Sequence, residues 1–143
     1  MFVKQLSIFV QNEPGRLAQI SGVIAKAGID IRALSIADTT NFGILRLIVD
    51  KPGDAVKALK DLGLTVKLTE VIAMEVDDKP GSFATAVKVL GDGGVGVEYL
   101  YAFVSPVPGK ARVILRVDDN EKAAKLLNDS GIVTLNEEDL YIK

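Results

Sequence analysis

Two six-residue stretches combine the groups that a small zwitterion needs from a protein: "NEPGRL" at residues 12–17 and "DKPGSF" at residues 78–83. Each follows an apolar run, "LSIFV" in one case and "VIAMEV" in the other, and each precedes residues with helical spacing. The free backbone N–H groups of a first helical turn, around Arg16-Leu17 and Ser82-Phe83, carry a positive potential that suits a carboxylate. An ammonium group needs an acceptor, and the candidates are Asn12 and Asp30 for the first stretch and Asp78 for the second. A plainer role is also open. Pro14 and Pro80 start helices, and Gly15 and Gly81 let the backbone turn closely.

Other chemistry is thin. The chain has no His and no Cys, so the usual general base, the usual zinc ligand, the thiol nucleophile and the disulfide are all missing. The acidic run Asn136-Glu137-Glu138-Asp139 reads as a solvated turn, without metal-ligand spacing. A non-enzyme with no metal and no cofactor is expected. A net charge of −2 without a basic run argues against nucleic acid as a partner. No apolar run reaches the roughly 18 residues of a membrane helix. The opening "MFVKQLSIFV" lacks the basic segment and small-residue cleavage site of a signal peptide, so a cytoplasmic location is expected.

The elements that position the two stretches come from a repeat. At an offset of 66, Val10, Pro14, Gly15, Ala18, Val23, Gly28 and Leu34 fall on identical residues of the second half. After a two-residue insertion the offset is 68, and Asp50 falls on Asp118, Leu59 on Leu127 and Gly63 on Gly131. Two copies, residues 1–70 and 71–143, fill the chain. In the first, "VKQLSIFV" alternates as a strand does. From Pro14 the positions Leu17, Ile20, Ile24 and Ala27 follow helical spacing up to Gly28. "IDIRALSIA" and "ILRLIVD" are β-like around a turn at "NFG", and "PGDAVKALKDLG" is a second helix. The second copy repeats the order and ends in "DLYIK" as its closing strand. The expected class is α+β, a ferredoxin-like βαββαβ unit in two tandem copies, packed side by side with antiparallel sheets. "VIAMEV" aligns with an opening strand and with a closing strand. It serves both copies, or the first copy closes with a short strand around Leu64 to Lys67.

A βαββαβ unit with (N/D)-x-P-G-x-Φ at its first strand–helix junction and G-Φ-(D/N)-Φ opening its second strand resembles an ACT domain. The motifs here are "NEPGRL" with "GIDI" and "DKPGSF" with "GVGV". The resemblance covers the whole chain, as two tandem ACT domains. It implies regulatory sensing of a free amino acid where two units meet, between the first strand–helix loop of one and the second strand of its neighbour. By that resemblance the ligand-contacting residues are Asn12, Glu13, Pro14, Gly15, Arg16, Leu17, Asp30 and Ile31 in the first copy. In the second they are Asp78, Pro80, Gly81, Ser82 and Phe83. The expected placement puts the ligand carboxylate on the Arg16-Leu17 amides and its ammonium near Asn12 and Asp30. Gly96 stands where the first copy has Asp30, which weakens a second equivalent site.

Tyr99, Tyr101 and Phe103 alternate along the second strand of the second copy. They bury a core or interface face, or Tyr99 and Tyr101 wall the ligand pocket facing the "NEPGRL" loop of the first copy, with a hydroxyl available for hydrogen bonding. Aliphatic "ILRLIVD" and "RVILRVD" exclude an RNA-binding sheet, and an acylphosphatase-like phosphate loop lacks its arginine in the second copy. An amino-acid-sensing regulatory protein, forming a homodimer, is the leading expectation. The alternative is a non-catalytic scaffold or regulatory subunit of an amino-acid-metabolism enzyme.

Overall fold

The computed structural model describes residues 2–11, 13–38 and 42–141. The order is β1 (Val3–Gln11), α1 (Arg16–Lys26), β2 (Ile31–Asp38), β3 (Phe42–Val49), α2 (Pro52–Asp61) and β4 (Val66–Asp77). It continues with α3 (Ser82–Asp92), β5 (Val97–Val104), β6 (Lys110–Val117), α4 (Asn120–Asp129), β7 (Val133–Leu135) and α5 (Glu137–Tyr141). The chain is α+β and repeats βαββαβ twice, with antiparallel pairing. It divides into two compact units, residues 4–69 and residues 70–141 with residues 2–3.

In the first unit, β3 pairs with β1 through Leu6↔Leu47 and Gln11↔Phe42, and with β2 through Leu34↔Leu47 and Asp38↔Gly43. Period-two alternation on β1 and β3 sends Leu6, Ile8, Val10, Leu45, Leu47 and Val49 to one face, where Ile20, Ile24, Ala55 and Leu59 cover them. In the second unit, β6 pairs with β4 through Met74↔Val113 and with β5 through Leu100↔Leu115. Ile72, Met74, Val113, Leu115 and Val117 are buried there against Ala86, Leu90, Ala123 and Leu127. β2 and β5 are the outer strands of their units.

The ambiguity over "VIAMEV" resolves into a single strand. β4 runs twelve residues; the unit boundary falls inside it, between Thr69 and Glu70. The Phe9 N–H donates to the Thr65 carbonyl at 3.2 Å, just ahead of the segment that closes the first unit.

Two expectations at the C-terminus are corrected. The closing strand is Val133–Leu135, antiparallel to β4 through Met74↔Thr134, and most of "DLYIK" belongs to a helix; Ile142 and Lys143 lie outside the described residues. The acidic run is a helix start, not a solvated turn. The Asn136 side chain accepts the Asp139 N–H at 3.0 Å, and the Asp139 carboxylate accepts the Asn136 N–H at 2.9 Å. This reciprocal cap satisfies two donors at once. Leu140 is buried one turn later.

Candidate functional site

Both Pro-Gly corners are type II turns. Gly15 has φ 86° and ψ −10°, Gly81 has φ 90° and ψ −16°, and each follows a proline, the residue order that this turn demands. The turn bonds close from the Arg16 N–H to the Glu13 carbonyl at 3.2 Å and from the Ser82 N–H to the Lys79 carbonyl at 3.3 Å. The helices begin after the glycines, at Arg16 and Ser82, rather than at the prolines. The first intrahelical bonds run from the Gln19 and Thr85 N–H groups to the Gly15 and Gly81 carbonyls, both at 3.0 Å. The Arg16 and Ser82 amides are thus engaged by the turns. The amides that helix geometry leaves for a carboxylate are those of Leu17 and Ala18, and of Phe83 and Ala84.

The surroundings of the corners differ. The second faces a cleft of about 440 Å³ bounded by Asp77, Lys79, Lys110, Ser82, Ile132 and Val133. The Asp77 carboxylate lies 2.5 Å from Lys110 Nζ and 3.9 Å from Lys79 Nζ. The hydrogen bond and charge of Lys110 hold the Asp77 carboxyl below its usual range, and the same pair raises the Lys110 ammonium. On its other side, Phe83 roofs an apolar slot of about 350 Å³ over Leu100, Ala102, Ala111 and Val113. Asp78 is exposed at the rim of that slot. At the first corner, Leu17 roofs a smaller slot of about 190 Å³ over Leu34, Leu45 and Leu47. Arg16 Nη1 donates to Gln19 Oε1 at 2.7 Å, and Glu13 is exposed. Asn12 lies outside the described residues.

Asp30 opens β2 at the end of the sheet away from the corner of its own unit, whereas Ile31 lines the same slot as Leu17. β1 and β2 both pair antiparallel to β3, so they run parallel. The corner after Gln11 therefore shares an end of the sheet with Asp38, while Ile31 pairs with Val49 at the other end. The seven steps from Ile31 to Asp38 span about 23 Å of strand. Because α1 carries the chain back along the sheet, Asp30 stands a strand's length from the Leu17-Ala18 amides of its own unit. Asp30 Oδ2 instead meets Arg32 Nη1 at 2.9 Å.

A clasp at this far end was not singled out from the sequence. Asp50 Oδ1 accepts the Asp30 N–H at 2.9 Å, and the Asp50 N–H returns a bond to the Asp30 carbonyl at 3.2 Å. Asp118 repeats it on Gly96, with both carboxylate oxygens at 3.2 Å from the Gly96 nitrogen. The alignment of Asp50 on Asp118 was the available signal. A Cβ on Gly96 would stand 3.1 Å from Asp118 Oδ2, so the side chain that the first copy carries here would crowd the clasp.

Tyr99 and Tyr101 point away from the slot at the second corner. Leu100 and Ala102 face the Phe83 slot, and alternation puts the tyrosines on the other face of β5. Tyr101 is 8% exposed and paired with Ile114; Tyr99 is half-buried and paired with Arg116. The same face of the second unit holds an ion pair that the sequence reading missed. Arg112 Nε meets Glu75 Oε2 at 3.0 Å with the side chains 7% and 14% exposed. Ser105 Oγ donates to the same oxygen at 3.3 Å, and Arg112 Nη1 donates to the Asp139 carbonyl at 3.3 Å. Among the described residues there is no cluster of His, Cys, Asp or Glu able to hold a metal, and no helix long and apolar enough to cross a membrane.

Comparison with known proteins adds a family match. Residues 1–142 match the model of an ACT domain pair. A crystal structure of a protein from Bacteroides thetaiotaomicron superposes with a TM-score of 0.93 at 38% identity, over all of this chain and 98% of that one. The ligand-free regulatory subunit of aspartate kinase from Thermus thermophilus shares the fold, with a TM-score of 0.69 at 17% identity over 90% of this chain and 93% of that one. A probable acetolactate synthase small subunit from Archaeoglobus fulgidus is 27% identical over 78 residues, 50% of this chain and 49% of its own length. An acetolactate synthase small subunit from Buchnera aphidicola is 29% identical over 76 residues, 52% of this chain and 47% of its own. The chain thus spans about half the length of the curated relatives it matches.

Proposed function

The chain belongs to the family of ACT domain pairs, and from that membership we propose that it is a regulatory protein that senses a free amino acid in the cytoplasm and catalyses nothing. The observation that carries this reading is the duplicated corner, with near-identical torsions at Gly15 and Gly81. Each corner opens a helix with two outward amides at its end. The ligand carboxylate sits on the Leu17-Ala18 or Phe83-Ala84 amides. The ammonium is taken by a second strand from a different unit, with Asp30 and Ile31 as its contacts. A separate unit is required because Asp30 stands a sheet's length from its own corner.

β2 and β5, as outer strands, suit such an approach. Beside them the helix-side face exposes Leu17, Leu34 and Ile36 in the first unit and Phe83, Leu100 and Val104 in the second. Burying these against a second copy makes the homodimer the working form and completes the sites. Tyr99 and Tyr101 serve the sheet face rather than the ligand, which agrees with the burial of Tyr101.

The names of the curated relatives favour a second reading, in which the chain is the regulatory subunit of an amino-acid-metabolism enzyme and binds little alone. Thermal unfolding against each common amino acid at millimolar concentration separates the two. A ligand at about 100 times its dissociation constant adds about 2.7 kcal/mol, a rise of about 5–10 °C at this size. A flat response to every amino acid refutes sensing by the chain alone.

A further inference from the structure

Asp77, Lys79 and Lys110 stand together at the second corner, and their charges do not balance. Two ammonium groups share one carboxylate. Glu75, more buried on the same wall, adds its field at Lys110 but offers neither lysine a direct contact, because its carboxylate is paired with Arg112 and accepts from Ser105. The cleft beside them has an apolar wall from Val76, Ile132 and Val133. Its volume of about 440 Å³ lies within the range of small-ligand sites. The first corner is different in kind. The repeat puts Gln11, Glu13 and Phe42 in the places of Asp77, Lys79 and Lys110, and Gln11 pairs with Phe42 as Asp77 pairs with Lys110. Both lysines are gone there and an acid has been added, while Arg16, held on Gln19 Oε1, stands where the second corner has Ser82.

We propose that the second corner is selective for an acidic amino acid, whose side-chain carboxylate enters the cleft between Lys79 and Lys110 opposite Asp77. The first corner does not share that preference. The proposal rests on the amino-acid-sensing reading and assigns a ligand class to one of its two corners. A ligand carboxylate supplies the missing anion, so each ammonium then faces a carboxylate. Charge-assisted bonds of this kind are the stronger class of hydrogen bond. The cleft is open to water, so the preference weakens as salt rises.

The test is calorimetric titration of the full-length chain at low salt with L-aspartate, L-glutamate, L-asparagine, L-glutamine, succinate and inorganic phosphate, with amide NMR shifts recorded in parallel. An acidic amino acid is expected to bind at least about tenfold more tightly than its own amide, the equivalent of one charge-assisted bond. It is expected to move the Gly81 and Ser82 signals and leave Gly15 in place. Lys110→Gln and Lys79→Gln should each abolish the preference. Lys57→Gln, at an exposed position on α2, should leave it unchanged. The Asp77–Lys110 pair is exposed, and such pairs contribute little to stability, so an unchanged background spectrum verifies the fold of each variant. Equal binding of acid and amide, or shifts at Gly15 alone, overturns the proposal. Succinate or phosphate binding as tightly as aspartate assigns the cleft to oxyanions in general and also overturns it. If a neutral amino acid binds and the acidic ones do not, the sensing reading stands and this proposal falls; if no amino acid binds, both fall.

Discussion

Replacing Arg112 with Ile should strand the Glu75 carboxylate. At 14% exposure, that carboxylate keeps only the Ser105 hydroxyl as a hydrogen-bond partner. Removing one partner of a buried ion pair costs about 3–5 kcal/mol. The residual exposure and the Ser105 bond place this case near the lower end, at about 3 kcal/mol. Glu75→Phe alone leaves a guanidinium at 7% exposure and should cost a similar amount. The double variant is the informative one. At the same register slot the first unit pairs Phe9 with Ile44, so Glu75→Phe with Arg112→Ile installs a pair that this sheet already accommodates. Exchanging a buried ion pair for apolar residues is often close to neutral, and the double variant should lie within about 1 kcal/mol of the parent. Urea unfolding followed by tyrosine fluorescence is the assay. All three tyrosines, Tyr99, Tyr101 and Tyr141, lie in the second unit and there is no tryptophan, so the signal reports that unit alone. The Asp139 carbonyl loses its Arg112 donor in either arginine variant, and amide exchange at Leu140 should quicken in both. Additive costs, with the double variant near 6 kcal/mol or unfolded, would refute the reasoning.

Gly81→Ala should cost about 1–2 kcal/mol because φ is 90° there, and no steric term adds to it since nothing lies within 4 Å of the new Cβ. Urea midpoints for Gly81→Ala and Gly81→Asn check this, with Asn expected to be milder. Leu90 is fully buried among Met74, Val113 and Leu127; Leu90→Ala should cost about 2–5 kcal/mol by the same tyrosine signal. Asn136→Ala removes the cap of α5, and an N-cap loss of about 1 kcal/mol should appear as faster exchange at Asp139 with the rest of the unit unchanged. For pH, Asp77 is held below its usual 3.8 chiefly by its hydrogen bond to Lys110. A depressed carboxyl stabilises the fold above that value and loses the contribution as pH falls through the lower folded value. Asp77→Asn should therefore lower the neutral plateau of a stability–pH curve slightly, the pair being exposed, and leave its most acid end unaltered, which flattens the acid limb.

What the sequence displays and what it hides have different physical origins. Leu6, Ile8 and Val10 announce β1 because alternation is local, and Pro14-Gly15 announces a turn because one residue fixes φ and the next permits a positive one. The repeat adds the second half at once. The end-to-end path was readable but easily overlooked: α1 reverses direction, so Asp30, only 18 residues after Asn12 in the sequence, opens β2 at the far end. The closing strand was not readable. Val133-Thr134-Leu135 is too short to alternate, while "DLYIK" offers more apolar residues, and the reciprocal cap at Asn136 and Asp139 decides between them. Glu75 and Arg112 stand 37 residues apart, and their meeting depends on a strand register that no local pattern specifies.

The two units act as internal controls for one another. At the corner, torsions agree to within a few degrees, and the residue types that set them, proline then glycine, are the same in both. One pleat further along the sheet, the backbone pairing is still the same, yet the side chains change class. Phe9 with Ile44 and Gln11 with Phe42 become Glu75 with Arg112 and Asp77 with Lys110. A backbone requirement explains the first set completely, since any unit of this fold needs the turn. It explains nothing about the second, because strands of this pairing accept either class. The charged class brings Lys79 and Lys110 to a cleft that the turn alone leaves without cations. The corner is thus the common frame, and the residues facing it from β4 and β6 are where the two units diverge in what they can bind.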